Sequence, residues 1–177
     1  GAGVCPPRFR SDPLHQGQLV KAACLAYSPA IRAIAKLLKN SRSIAVVGLS
    51  PKSDRTSHAV AAYMQQYGYR IIPVNPQAAG QEILGETCYA SLQDAAQAMA
   101  QTASKIDIVN VFRRSEDVPP VLADTLAIAK RAGVQGFWLQ LGISHAESEK
   151  RAADVGLTVV ANRCIKVELA SLKAAGD

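Results

Sequence analysis

The sequence predicts a doubly wound α/β domain: a mainly parallel sheet with helices on both faces, three layers in all. Three observations lead there. Short apolar, β-branched runs alternate along the chain with segments of helical periodicity, the rhythm of repeated strand–helix–strand units. The runs are continuously apolar rather than alternating, as expected of strands covered on both faces. The chain has 177 residues, 49% of them apolar and 19% charged, enough for one well-filled core. Right-handed crossovers between parallel strands complete the expected architecture.

The elements follow in order. Residues 1–27 lack clear patterning and are read as a partly ordered N-terminal arm. Within it, Asp12-Pro13 could open a short helix through Leu19, Val20, Ala23 and Cys24. The domain proper spans 28–177. Ser28-Pro29 pairs an N-cap with Pro at the first helical position. Ile31, Ile34, Leu37 and Leu38 then recur at helical spacing, and Asn40 ends that helix. SIAVVG at 43–48 is a buried strand. Val60, Tyr63, Met64 and Tyr67 mark a helix closed by Gly68. YRIIPV at 69–74 is the next strand, with Pro73 placed near its end because proline cannot donate to a ladder. A short strand is expected near Glu86-Thr87-Cys88. Ser91 opens an Ala-rich helix through Met99, and IDIVNVF at 106–112 is the strand after it. Pro119-Pro120 begin a helix closed by Gly133. GFWLQL at 136–141 is another strand, Ser144 caps a helix ending near Gly156, and LTVV at 157–160 is the last strand.

Composition narrows the function classes. The formal charge of +6 favours an anionic partner but does not choose one. Basic residues are dispersed, aromatics are 5%, and no recognition motif for nucleic acid appears. No apolar run approaches the length of a membrane span, about 18 residues. The four cysteines at 5, 24, 88 and 164 show neither CxxC spacing nor a Cys/His cluster. That spread suggests free thiols in a reducing, cytoplasmic setting and no metal. The chain does not begin with Met, and Gly1-Ala2-Gly3 reads as an expression remnant outside the fold.

In an open parallel sheet, ligands gather at the carboxyl ends of the strands, so the loops there carry the functional reading. After the first strand comes Gly48-Leu49-Ser50-Pro51-Lys52-Ser53-Asp54-Arg55-Thr56-Ser57. Gly48 permits a sharp turn and a close approach. The following helix begins near Thr56 or Ser57, and its free N–H groups attract phosphate. Lys52, Arg55 and the hydroxyls of Ser50, Ser53, Thr56 and Ser57 add donors. The loop lacks GxGxxG, and the second strand ends in Val74-Asn75-Pro76 without the acidic residue of a dinucleotide site. Another anionic nucleotide is therefore favoured over NAD. The strand at 106–112 ends in Phe112-Arg113-Arg114, facing the glycine loop. Asn110 could satisfy buried groups, Trp138 belongs to the core, and Gln140 and Gly142 are cleft candidates.

These words together resemble the family of stand-alone CoA-binding proteins. Their fold is similar to the N-terminal domain of succinyl-CoA synthetase alpha subunits. The matching segments are VVGLSPKSDRTSHAVAAYM at 46–64, YRIIPVNP at 69–76, EILGETCYASL at 82–92, DIVNVFRRSEDVP at 107–119, FWLQLGI at 137–143 and NRCIKVE at 162–168. The resemblance implies a Rossmann-like domain that binds coenzyme A across its strand ends. It implies that Gly48, Ser50, Lys52, Arg55 and Ser57 hold phosphate groups and that Val74, Asn75 and Pro76 flank the nucleotide. Phe112, Arg113 and Arg114 would then border adenine or the ribose phosphate. The synthetase's second domain, with its phosphorylated histidine, has no counterpart in His15, His58 or His145.

The expected function is therefore non-covalent binding of coenzyme A or an acyl-CoA, without complete catalytic machinery. The alternative is an NAD(P)-binding oxidoreductase or a partner-dependent acyl-CoA enzyme. Cys164, flanked by Arg163 and Lys166, could be a reactive thiol lowered in pKa by those charges or a small apolar filler. Glu116-Asp117 and Glu147/Glu149 read as charges complementing helix N-termini. A homo-oligomer or another protein partner stays open.

Overall fold

The computed structural model describes residues 28–176. The N-terminal arm and its expected short helix lie outside the described residues. The chain divides into two units, Gly1–Arg32 and Ala33–Asp177. Of the first, the described part is the start of helix α1 (Pro29–Asn40). There the Ser28 hydroxyl accepts from the Ile31 N–H at 3.4 Å.

In the second unit, α1 continues into β1 (Ser43–Val47), α2 (Thr56–Gln66) and β2 (Arg70–Val74). A small hairpin of β3 (Glu82–Ile83) and β4 (Glu86–Thr87) follows. Then come α3 (Leu92–Gln101), β5 (Ile108–Val111), α4 (Val118–Ala132), β6 (Gly136–Leu139), α5 (Ala146–Asp154), β7 (Thr158–Val160) and α6 (Ile165–Gly176). The five-stranded sheet has order β2-β1-β5-β6-β7, with every pairing parallel. The strand expected near Glu86 is part of the separate antiparallel hairpin.

Strand side chains alternate between two cores. Ala45, Val47, Ile72, Val109, Val111, Phe137 and Leu139 pack against α3, α4 and α5. Ile44, Val46, Ile71, Ile108 and Trp138 pack against α1, α2 and α6. The result is the expected doubly wound three-layer arrangement, and it explains why the strands are apolar throughout.

Local chemistry accounts for the boundaries. Pro73 lies in the edge strand; its carbonyl accepts from Tyr89 on the outer side, so its missing N–H costs β1 nothing. The Ser91 hydroxyl caps α3 by accepting from the Asp94 N–H at 3.1 Å, and Gly133 closes α4 at φ +78°. Ser144 was the expected cap of α5, but His145 takes that place, its Nδ1 accepting from the Ser148 N–H at 3.2 Å. Helix α6 was not expected at all. Its signal was Ile165, Leu169 and Leu172, which recur at helical spacing and pack on the second core.

Gly136 lets α1 approach the sheet, for a Cβ there would lie 2.6 Å from Leu37 Cδ2. The buried Asp107 carboxylate ties β1 to the entry of β5. Its Oδ2 accepts from the backbone N–H groups of Arg42 at 2.7 Å and Ser43 at 3.1 Å, and from the Ser43 hydroxyl. Stranding such donors costs about 1–3 kcal/mol each. Asp107→Ala should therefore destabilise the protein by about 2–4 kcal/mol in urea unfolding. A change near zero would show that this carboxylate is not what pins the two strands.

Candidate functional site

Strand β1 sends its chain to β2 on one side, while its other neighbour is β5. The loops after β1 and β5 therefore diverge, and a crevice opens at their carboxyl ends. Three strand ends are fixed there by backbone bonds. The Gly48 N–H donates to Val74 O at 2.8 Å, and the Phe112 N–H donates to Val47 O at 2.8 Å. Gly48 adopts φ +87°, and a Cβ on it would sit 2.5 Å from Phe112 O. The glycine loop and the twin-arginine segment thus meet backbone to backbone.

Over this junction lies a cavity of about 580 Å³ lined by Gly48, Ser50, Lys52, Arg55, Thr56, Ser57, Asn75, Phe112 and Arg113, with Pro51, Gln77 and Ala78. The size falls within the range of about 300–1,000 Å³ usual for small-molecule sites. None of the lining residues is acidic. Among the described residues, Lys52, Arg55 and Arg113 form no ion pair. Three cations converging on one hollow repel one another, and an anion relieves that repulsion. Helix α2 begins at this wall, and its N-cap residue Arg55 supplies no capping side chain. The first-turn N–H groups and the positive end of the helix dipole accordingly add to the attraction for an anion.

Several polar side chains hold the loops themselves. The buried Ser57 Oγ accepts from the Ser50 N–H at 3.1 Å, and Ser50 Oγ accepts from the Lys52 N–H at 3.1 Å. Asn75 Nδ2 donates to Leu49 O at 3.0 Å, while its Oδ1 accepts from the Gln77 N–H at 3.1 Å. Asn75 thereby staples the loop after β1 to the turn after β2.

The remaining expected site residues stand apart from this cavity. Val74 is buried in the core and reaches the junction only through its carbonyl. Pro76 is exposed, opens the turn Pro76–Ala78 and lies outside the cavity lining. Arg114 turns away into exposed ion pairs with Glu116 at 2.7 Å and Asp117 at 3.3 Å. Gln77 was not foreseen; its signal was Asn75-Pro76, a turn pair whose Asn side chain accepts from the N–H two residues on.

Arg114 instead borders a second cavity of about 690 Å³, which shares Thr56, Phe112 and Arg113 with the first. Asp117, Gln140, Leu141, Ile143 and Cys164 complete its lining. Phe112 therefore stands between the two hollows rather than wholly in the core. Gln140, a cleft candidate from the sequence, lines this cavity; Gly142 does not. The Gly142 N–H donates to Asn162 Oδ1 at 2.7 Å, and the Asn162 N–H donates to Ile143 O at 3.0 Å. These bonds clamp the segment before Cys164 to the loop after β6. Asn110 is buried and accepts from Gln140 Nε2 at 2.8 Å. Trp138 is a core residue, its Nε1 donating to Arg163 O at 2.7 Å.

The cations beside Cys164 are engaged elsewhere. Arg163 pairs with Glu168 at 2.8 Å, and Lys166 Nζ lies 5.1 Å from the centre of the Tyr63 ring. Burial pushes the thiol of Cys88, the other described cysteine, above its usual range. Among the described residues, no group of three or more His, Cys, Asp or Glu could hold a metal. No helix described is long and apolar enough to cross a membrane.

The family pattern described as "CoA binding domain" matches residues 42–170. The chain is 41% identical over 146 residues to "Uncharacterized protein YneT" of Bacillus subtilis (strain 168), covering 82% of this chain and 98% of that one. A Thermus thermophilus protein solved as cell-free ID.343 is 35% identical with a TM-score of 0.70, covering 80% of this chain and 98% of that one. A hypothetical protein from Pyrococcus horikoshii OT3 is 30% identical with a TM-score of 0.69, covering 84% and 94%.

Two glycines separate conformational strain from crowding at the junction. Gly48 and Gly68 both have positive φ, but a Cβ on Gly68 meets nothing within 4 Å. Gly68→Ala should lose about 1–2 kcal/mol from the left-handed backbone alone. Gly48→Ala should lose at least about 1 kcal/mol more, because Phe112 must move. Equal losses in thermal unfolding would refute the close approach.

Proposed function

The chain belongs to the CoA-binding domain family, and from that premise we propose that it binds coenzyme A or an acyl-CoA non-covalently, its phosphates lying in the first cavity. The observation that carries this reading is the set of three cations, Lys52, Arg55 and Arg113, without ion-pair partners among the described residues and around one hollow without an acid. The first turn of α2 completes the phosphate environment. Phe112, shared by both cavities, offers its ring to the adenine or to the pantetheine arm. The second cavity is less basic and has more apolar lining residues. It suits the uncharged pantetheine arm and any acyl group.

Fixed loops favour this role. Asn75, Ser57 and Ser50 hold the phosphate loop before a ligand arrives, which lowers the ordering cost of binding. We read the protein as a binding module rather than an enzyme complete in itself, working in a reducing cytoplasm with its described thiols free.

Calorimetry with CoA tests the assignment. Each contact of a cation with phosphate contributes about 1.5–3 kcal/mol when well formed, less where solvent screens it. Lys52→Ala, Arg55→Ala and Arg113→Ala should each weaken binding about three- to thirtyfold, with affinity falling as salt rises. Wild-type affinity in both Lys52→Ala and Arg55→Ala would remove the loop from the account. NAD should bind more weakly than CoA; tighter NAD binding would favour an oxidoreductase.

A further inference from the structure

We propose that Cys164 is a thiol–disulfide exchange site, at which the sulfur of the bound CoA is captured as a mixed disulfide. This rests on the CoA reading above and adds a redox step to it. Cys164 is partly buried and lines the second cavity, across the shared Thr56–Phe112–Arg113 wall from the cationic hollow. A ligand anchored by its phosphates in the first cavity can run past Phe112 into the second. In CoA, the end that arrives there is the thiol.

A second observation indicates that the cavity is built for such an arm. Gln140 is only 3% exposed. Its Nε2 donates to Asn110, and among the described residues no donor reaches its Oε1. Every fully sealed side-chain nitrogen and oxygen among the described residues has a partner. The largely buried Gln140 side chain lines the second cavity. A largely buried amide oxygen with no donor among the described residues is suited to accept one from a ligand. The amide N–H groups of pantetheine are donors of that kind and lie between the phosphates and the thiol. The Asn162 clamp holds the segment before Cys164 beside the same wall.

The reaction balances without further groups. The Cys164 thiolate attacks one sulfur of a CoA disulfide. A bond forms between Cys164 Sγ and that sulfur, and the original sulfur–sulfur bond breaks. The departing CoA leaves as a thiolate and takes up the proton that Cys164 released. Cys164 is oxidised, and the departing half of the disulfide is reduced. A small thiol reverses the step. Capture would convert a rapidly exchanging ligand into one retained until reducing conditions return.

The test exposes oxidant-free wild-type protein to CoA disulfide, and separately to glutathione disulfide at the same concentration. Intact mass and peptide mapping follow the adducts. Tethering by the phosphates should present the sulfur at an effective concentration of roughly millimolar order. The CoA adduct should thus form at least about tenfold faster than the glutathione adduct at micromolar reagent. It should map to the Cys164 peptide, vanish with dithiothreitol, slow when adenosine 3′,5′-bisphosphate competes, and fail to map there in Cys164→Ser. Calorimetry of wild-type protein with CoA under dithiothreitol separates the two claims. CoA bound without a selective Cys164 adduct, or with equal rates for both disulfides, overturns the capture alone. No CoA binding overturns the functional reading and the capture with it.

Discussion

Gly48 and Phe112 approach backbone to backbone where two neighbouring parallel strands end, and this approach shapes everything above it. The sheet order forces it: β1 pairs with β2 on one side and β5 on the other, so the chains leaving β1 and β5 part in opposite directions. A residue with a side chain at 48 would push those strand ends apart. Only glycine combines that contact with a φ of +87° at little cost. The hollow is therefore a consequence of topology, and its chemistry is set by the two loops that border it.

Those loops divide their labour. Ser50, Ser57 and Asn75 hydrogen-bond to loop backbone and fix its path, leaving Lys52, Arg55 and Arg113 to set the field. Concentrating three cations costs repulsion in the empty protein, a cost tolerable because all three side chains remain partly hydrated and because an anion offsets it. The second hollow differs in character. It keeps Arg114 tied in exposed ion pairs and presents Gln140, Leu141, Ile143 and Cys164 instead. A basic chamber joined to a less polar one across a shared aromatic wall matches a ligand with a charged head and an uncharged arm.

Much of this was legible in the sequence because it depends on short-range signals. The strand–glycine–polar-loop–helix order around Gly48, the Ser91 cap and the Gly133 stop are written within a few residues. The continuous apolar runs reported burial on both faces. What could not be read depends on distant partners. Ser57 reads as a phosphate donor, and the sequence did not show that its Oγ also accepts from the Ser50 N–H. Arg113 and Arg114 were indistinguishable as neighbours, and only the placement of Glu116 and Asp117 sends one to an ion pair. Helix α6 was overlooked although Ile165, Leu169 and Leu172 carried its period, because 162–168 reads from the sequence only as a segment of the family resemblance. The partners of the two cations flanking Cys164 were equally hidden: Arg163 pairs with Glu168, and Lys166 lies over the Tyr63 ring.

The most direct measurement is a crystal structure of the protein grown with CoA. The diphosphate should lie between the 50–56 loop and Arg113, with the pantetheine amides reaching Gln140 and the sulfur beside Cys164. CoA seated anywhere else on the surface, with the hollow over Gly48 left to solvent, would contradict the account.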